Sequence, residues 1–327
     1  MSQPTTAISL REGQENRSSL VTRRRQDRVA GRAFFVYSLI PVSLTIIIIT
    51  MLLVRSWPIL RAHSLWDLLT GQIWRPDEGL FGFWPFIAGT GWVTIVALIL
   101  AVPPCLLTAI YLSEYASHSL RAAMKPLLDL LAAIPSVVYG VWGLVAIVPF
   151  VQATLSPTLN HWLGFIPLFQ TENPTGYSII AGAIVLAVMI APFIIAITCE
   201  VMTTVPDGHR QASLAVGATR WQTVRYAVIP QTLPGILAGI VLGLSRALGE
   251  TMAVLMVVGN VIHVPKSIFD AAYPLPALIA NNYGEMMSIP LYDAALMGAA
   301  LILLLIVLIF NIASTLILQR ILGRRWM

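Results

Sequence analysis

The sequence predicts an all-α, polytopic membrane protein with six membrane-spanning helices. The chain of 327 residues is 57% hydrophobic and 11% charged, against about 25% charged in soluble domains. Six runs are long and apolar enough to cross a bilayer, which takes roughly 20 residues each. The basic residues are also distributed unevenly between the two sets of loops that those runs define.

The head, 1–32, holds seven of the twenty basic residues: Arg11, Arg17, Arg23, Arg24, Arg25, Arg28 and Arg32. It is too long and polar for the start of a cleaved signal peptide, and no small-residue cleavage site follows. It is expected to be a loosely ordered cytoplasmic tail leading into a retained first helix. The runs then cover 33–54, 85–112, 127–151, 179–202, 233–258 and 294–318, with a short tail at 319–327. With the head inside, the inner regions carry fifteen Lys and Arg and the outer loops four (Arg55, Arg61, Arg75, Lys266). That bias predicts both termini in the cytoplasm. Arginines clustered at membrane boundaries rather than on a soluble face do not point to nucleic acid.

The outer loops 55–84 and 152–178 carry Trp57, Trp66, Trp74, Phe81, Trp84, Trp162, Phe165 and Phe169, aromatics that suit the membrane–water interface. In the third outer loop, 259–292, the apolar centre 271–280 is too short to span and predicts a short or re-entrant helix. Cys105 and Cys199 have no CxxC neighbour and no histidines at metal spacing, so neither a disulfide framework nor a metal site is indicated. The five histidines are scattered through loops. No HExxH, GxSxG or Walker glycine loop occurs, so the chain is not read as an enzyme and no cofactor is called for.

Two features carry functional information. Arg246 and Glu250 lie four residues apart within the fifth run, and an arginine at mid-membrane costs about 2.5–3.5 kcal/mol on insertion scales. At that spacing the two groups can pair on one helix face. Either they form a structural ion pair, or the arginine receives an anion in a polar pathway. Ser136, after Pro135, either satisfies a carbonyl freed by the proline or faces the pathway at a local unwinding. Tyr139 falls on nearly the same face as core or as lining, and Thr251 is a candidate hydroxyl donor. Gly243 and Gly249 suit close helix approach.

The second feature is the inner loop 203–232. Pro206 and Asp207 can start a helix, Gly217 permits a turn, and Trp221, Val224 and Val228 recur at helical steps on a second helix that ends before Pro230. Two short helices about a glycine make either a knob for a soluble partner or a hairpin lying on the membrane.

This loop resembles the coupling loop of ABC importer permeases, whose pattern is Glu-Ala-Ala, three residues, Gly, nine residues, Ile-x-Leu-Pro. Here the positions are Gln211-Ala212-Ser213, then Gly217, then Ala227-Val228-Ile229-Pro230. The spacing is kept, while Gln211, Ser213 and Ala227 depart from the pattern. Ser245-Arg246-Ala247-Leu248-Gly249-Glu250-Thr251-Met252-Ala253-Val254 is similar to a signature of phosphate-specific permeases, with the ending of their C-type (PstC) subunit. Ile134-Pro135-Ser136-Val137-Val138-Tyr139-Gly140 and Ala109-Ile110-Tyr111-Leu112-Ser113-Glu114-Tyr115 are similar to motifs of the same subunit.

The resemblance covers roughly 30–320 and implies a type I ABC importer permease fold over 33–318. It implies a substrate pathway at Arg246, Glu250, Ser136, Thr251 and Tyr139. It also implies an ATPase-docking surface at Gln211, Ala212, Gly217, Ala218, Trp221 and Pro230, the lost glutamate leaving any ion pair at that contact unsupported. The partners it implies are a homologous A-type permease, an ATPase dimer that holds the nucleotide sites, and an extracytoplasmic phosphate-binding protein, all at the plasma membrane. Nothing in an arginine discriminates tetrahedral anions, so sulfate and molybdate stay open as substrates. A non-transporting scaffold or sensor docking a soluble partner is the alternative from another class.

Overall fold

The computed structural model describes residues 5–170, 173, 175–285, 288–289 and 291–323, with side chains considered over 30–320. It divides into two units, Met1–Val54 and Arg55–Met327. Among the described residues, six helices are long and apolar enough to span a membrane.

Helix α1, Thr5–Ala62, begins in the arginine-rich head and runs through the first span. From Thr5 onward the head is therefore helical rather than loosely ordered. Its Arg, Gln, Glu and Leu residues are good helix formers, and no proline interrupts the helix before Pro41.

The second unit continues with α2, Leu65–Thr70, and a small antiparallel pair, β1 (Trp74–Arg75) with β2 (Leu80–Phe81). Trp74 and Phe81 are buried here against Phe83, Phe86 and Tyr292. They were expected at the bilayer interface; the hairpin turns both residues inward, where edge-on ring contacts add to burial. Trp66, Trp162 and Phe165 do stay exposed.

Helix α3 is Trp84–Tyr115, and α4, His118–Ala133, starts at the Ser117 cap. Helix α5, Ser136–Leu163, is the third span, nine residues later than the expected 127–151. Pro135 explains the shift, because a residue before proline is driven out of the helical region. Ile134 and Pro135 are both extended (ψ 129° and 138°), which separates the amphipathic α4 from the span.

Helix α6, Ile179–Thr203, lies at the centre of this unit: Ile179, Leu186, Met189, Ile190 and Ile194 are fully enclosed. It packs on α3 and on α8, Arg220–Leu248, across Gly239 and Gly243, where a Cβ would press into Ile197 and Ile194. Helix α7 is Asp207–Ala215 and α9 is Met252–Leu255. The short helix expected in the third outer loop is α10, Leu275–Asn282, with Leu275, Ala277 and Leu278 buried. Helix α11, Tyr292–Gly323, closes the chain.

The second helix of the 203–232 loop does not end before Pro230 but continues as α8. Wide π-type turns at Val224–Val228, and likewise at Tyr111–Tyr115 in α3 and at Gly143–Ile147 and Val151–Leu155 in α5, hold one extra residue each. The turn before Pro230 relaxes the geometry that its ring would otherwise break.

Candidate functional site

Arg246 occupies the last turn of α8, where a cation is favoured by the helix dipole. Its guanidinium carbon sits 4.2 Å from the centre of the Phe193 ring on α6, a cation–π contact that leaves the charge unneutralised and the side chain exposed. The expected pair with Glu250 is not formed: among the described residues no carboxylate lies within 4.0 Å of Arg246. The helix stops at Gly249, so the four-residue spacing no longer sets the two groups on one face. The Glu250 carboxylate instead accepts a hydrogen bond from the Ala253 N–H at 3.2 Å and caps α9. Glu250 is half-buried beside Thr90, Thr94 and Val254.

Thr251 lies in the break and donates to the Gly249 carbonyl at 3.3 Å. Ser136 is the first residue of α5, half-buried, without a side-chain hydrogen bond among the described residues. Tyr139 is buried and its hydroxyl donates to the Leu131 carbonyl at 2.8 Å, stapling α5 to α4 across the Pro135 break. The two regions nevertheless meet. Helix α5 packs on α9 at Gly140, where a Cβ would fall 2.6 Å from the Met256 sulfur. Arg246, Ser136, Thr251 and Glu250 thus surround two helix breaks, at Pro135 and at Gly249, which is where non-helical backbone in a membrane lines a cavity or is buried in protein.

The 203–232 loop forms a rigid hairpin. Helix α7 ends in a Schellman motif: the Gly217 N–H donates to Leu214 O at 3.0 Å and the Ala218 N–H to Ser213 O at 3.3 Å. Gly217 has φ +86°, a left-handed conformation that favours glycine. Thr219 and Gln222 then form a capping box that starts α8. Ser213, which departs from the family pattern, hydrogen-bonds the Thr223 hydroxyl at 3.0 Å and ties the two helices together. The tip is solvent-facing and apolar: Val216 is 85% and Trp221 48% exposed, with Leu214 and Tyr226 beside them. Gln211 and Ala212 are exposed, Ala218 half-buried, and Pro230 half-buried inside α8.

One functional residue was missed by sequence reasoning. Arg210 clamps the hairpin to the membrane helices, donating from Nε and Nη2 to the Glu114 carboxylate at 3.0 and 2.8 Å. It also donates to Met202 O at 2.9 Å, Val205 O at 2.6 Å and Asp207 Oδ1 at 3.3 Å. The hydrogen bond that Arg210 donates to the Glu114 carboxylate pushes its pKa up, against a lesser opposing effect of burial. The available signal was Glu114 itself, an acidic residue in the motif that ends α3.

A six-span helical body with a charged group at the Gly249 break and an exposed apolar hairpin is the build of the permease subunit of an ABC importer, a multi-pass inner-membrane protein. The comparisons with known proteins place the chain in that class. Residues 105–326 match the family described as binding-protein-dependent transport system inner membrane component. The chain is 37% identical over 277 residues to the phosphate transport system permease protein PstC of Pasteurella multocida, covering 84% of this chain and 86% of that protein. It is 37% identical over 270 residues to PstC of Mesorhizobium japonicum, covering 81% and 82%. The chain belongs to the binding-protein-dependent transport permease family and, within it, to the PstC phosphate permeases. Its fold is that of a permease in the crystal structure of a bacterial alginate ABC transporter, solved in complex with an alginate pentasaccharide-bound periplasmic protein. The TM-score is 0.58 at 16% identity, over 93% of this chain and 97% of that one.

Proposed function

We propose that this chain forms half of the pore of an ATP-driven phosphate importer, paired with a homologous A-type permease. In this proposal residues 33–318 form the permease domain, both termini face the cytoplasm, and 1–32 and 319–327 are tails. An extracytoplasmic phosphate-binding protein delivers the anion, and a separate ATPase dimer grips the hairpin tip around Val216 and Trp221. The observation that carries the proposal is Arg246: a guanidinium at an intramembrane helix end, held on a ring rather than by a carboxylate. An aromatic face leaves the planar donor fork free for two phosphate oxygens. Glu250 does not hold the arginine in reserve; it fixes the break that presents Arg246, Ser136 and Thr251, and its charge disfavours a second anion there.

Uptake of radiolabelled phosphate by the reconstituted complex tests this, with sulfate and molybdate as competitors. Arg246→Gln is expected to abolish uptake with the complex still assembled, and Arg246→Lys to recover little because a point charge replaces the fork. Normal phosphate uptake by assembled Arg246→Gln, or uptake suppressed by equimolar sulfate, would sink it.

A further inference from the structure

At the end of α3 and α6 that adjoins the hairpin, a cavity of about 660 Å³ lies between α4 and α6. That volume is in the usual range for a small-molecule site. Its walls are of two kinds. Leu112, Met124, Leu128 and Ala196 make an apolar side, and Arg121 and Lys125, one turn apart on α4, make a basic side.

Arg121 is set in place before any ligand arrives. Its Nε donates to Leu112 O at 2.8 Å and its Nη2 to Ser113 O, so the guanidinium caps the carbonyl end of α3. Nη1 has no hydrogen-bond partner among the described residues. Lys125 is exposed. Of the acidic groups on the wall, Glu200 faces the cavity from α6 and Asp129 from α4, with His118 at the start of α4. Among the described residues neither carboxylate lies within 4.0 Å of either cation. Neither cation is thus neutralised by a carboxylate of the described residues, Arg121 keeps Nη1 free, and the pair borders an apolar wall at the end of membrane-spanning helices.

We propose that this cavity binds the phosphate headgroup of an anionic membrane lipid, with Arg121 and Lys125 as its phosphate partners and Met124, Leu128 and Ala196 against the start of an acyl chain. Free inorganic phosphate would need the basic side alone and leaves the apolar wall unexplained. A lipid uses both, since basic pockets between membrane helices attract anionic headgroups while the chain methylenes are buried beside them. The site is separate from Arg246 and does not depend on which anion passes there.

Native mass spectrometry of the assembled transporter tests the proposal, with added dioctanoyl phosphatidylglycerol, dioctanoyl phosphatidylcholine and inorganic phosphate as probes. Phosphatidylglycerol is expected to bind, and Lys125→Gln to weaken it about fivefold, the effect of one lysine at a membrane surface. Arg121→Gln should weaken it at least as much, although it also uncaps α3, so Lys125→Gln is the deciding variant. Arg75→Gln, an exposed residue paired with Glu78, should change nothing. Equal phosphatidylglycerol affinity in wild type and Lys125→Gln would overturn the proposal. So would phosphatidylcholine binding as tightly, or inorganic phosphate adducts that require Lys125 when neither lipid binds.

Discussion

Removing Arg210 should release α7 from the membrane helices without unfolding them. The Arg210 and Glu114 side chains are 19% and 8% exposed, so their two hydrogen bonds form in a largely enclosed site. Truncating one partner of such a pair strands the other charge, at a cost of about 3–5 kcal/mol. Arg210→Gln also loses hydrogen bonds to the Met202 and Val205 carbonyls, which places it at the upper end. Glu114→Gln leaves an amide oxygen that can still accept, so it should cost less, about 1.5–3 kcal/mol for a hydrogen bond to a charged group. Because Glu114→Gln removes the stranded charge, the double variant should be less perturbed than the sum of the singles.

Hydrogen exchange of the 207–216 amides in the purified complex reads this directly. At about 1.4 kcal/mol per tenfold, exchange in Arg210→Gln should be accelerated about a hundredfold or more, while the α6 amides are unchanged. Slow exchange at 207–216 in Arg210→Gln, or strictly additive singles, would refute the clamp. The sign of the pH dependence follows from the raised Arg210 pKa. Its stabilisation is fully present below the ordinary arginine value and is lost only as pH rises through the folded one, so mild alkali should not loosen α7 through this group.

Three further outcomes are expected. Gly217→Ala meets no atom within 4 Å, so its cost is backbone strain alone, about 1–2 kcal/mol, seen as faster exchange at the hairpin tip; Gly217→Pro, which cannot adopt φ +86° and loses the bond to Leu214 O, should uncouple ATP hydrolysis from uptake. Asn311→Leu removes the Ser245–Asn311 hydrogen bond (2.8 Å) between α8 and α11; a loss of about 0.6–1.7 kcal/mol is expected in thermal unfolding, and an unchanged midpoint would contradict it. Cysteines at Asp77 and Lys266, both exposed, should react with an impermeant thiol reagent on spheroplasts, whereas Val216→Cys should react only after lysis; labelling of Val216→Cys from outside would reverse the topology.

The six spans and the hairpin were legible because they rest on hydropathy length and on turn residues, which are local properties. Gly217 and the Thr219–Gln222 box announce their turn whatever packs around them. Span limits were less legible where a proline sits inside an apolar run. Pro135 ends a helix and Pro230 does not, and Pro103, Pro104 and Pro192 also lie inside continuous helices, so the residue type alone does not announce the break. Spacing along the fifth run suggested a paired Arg246 and Glu250, but a break at Gly249 rotates the second group away. The partner of Arg246, Phe193, is on another helix, 53 positions earlier in the sequence. Contacts of that kind, like the clamp from Arg210 to Glu114, depend on the packing of α6 against its neighbours rather than on periodicity.

The wide turns have a consequence for what the chain tolerates in evolution or by design. An α-helix advances by about 100° per residue, so removing one residue ordinarily re-phases every side chain beyond it. Helix α5 holds two turns with a surplus residue, at Gly143–Ile147 and Val151–Leu155. Deleting one residue there lets the turn close to ordinary pitch while the flanking faces keep their azimuth. Helix α6 has no such slack among the described residues, and its enclosed face from Ile179 to Ile194 would be turned away from its neighbours by the same deletion. Length polymorphism among relatives should therefore collect in α5, and α6 should be held to a fixed count.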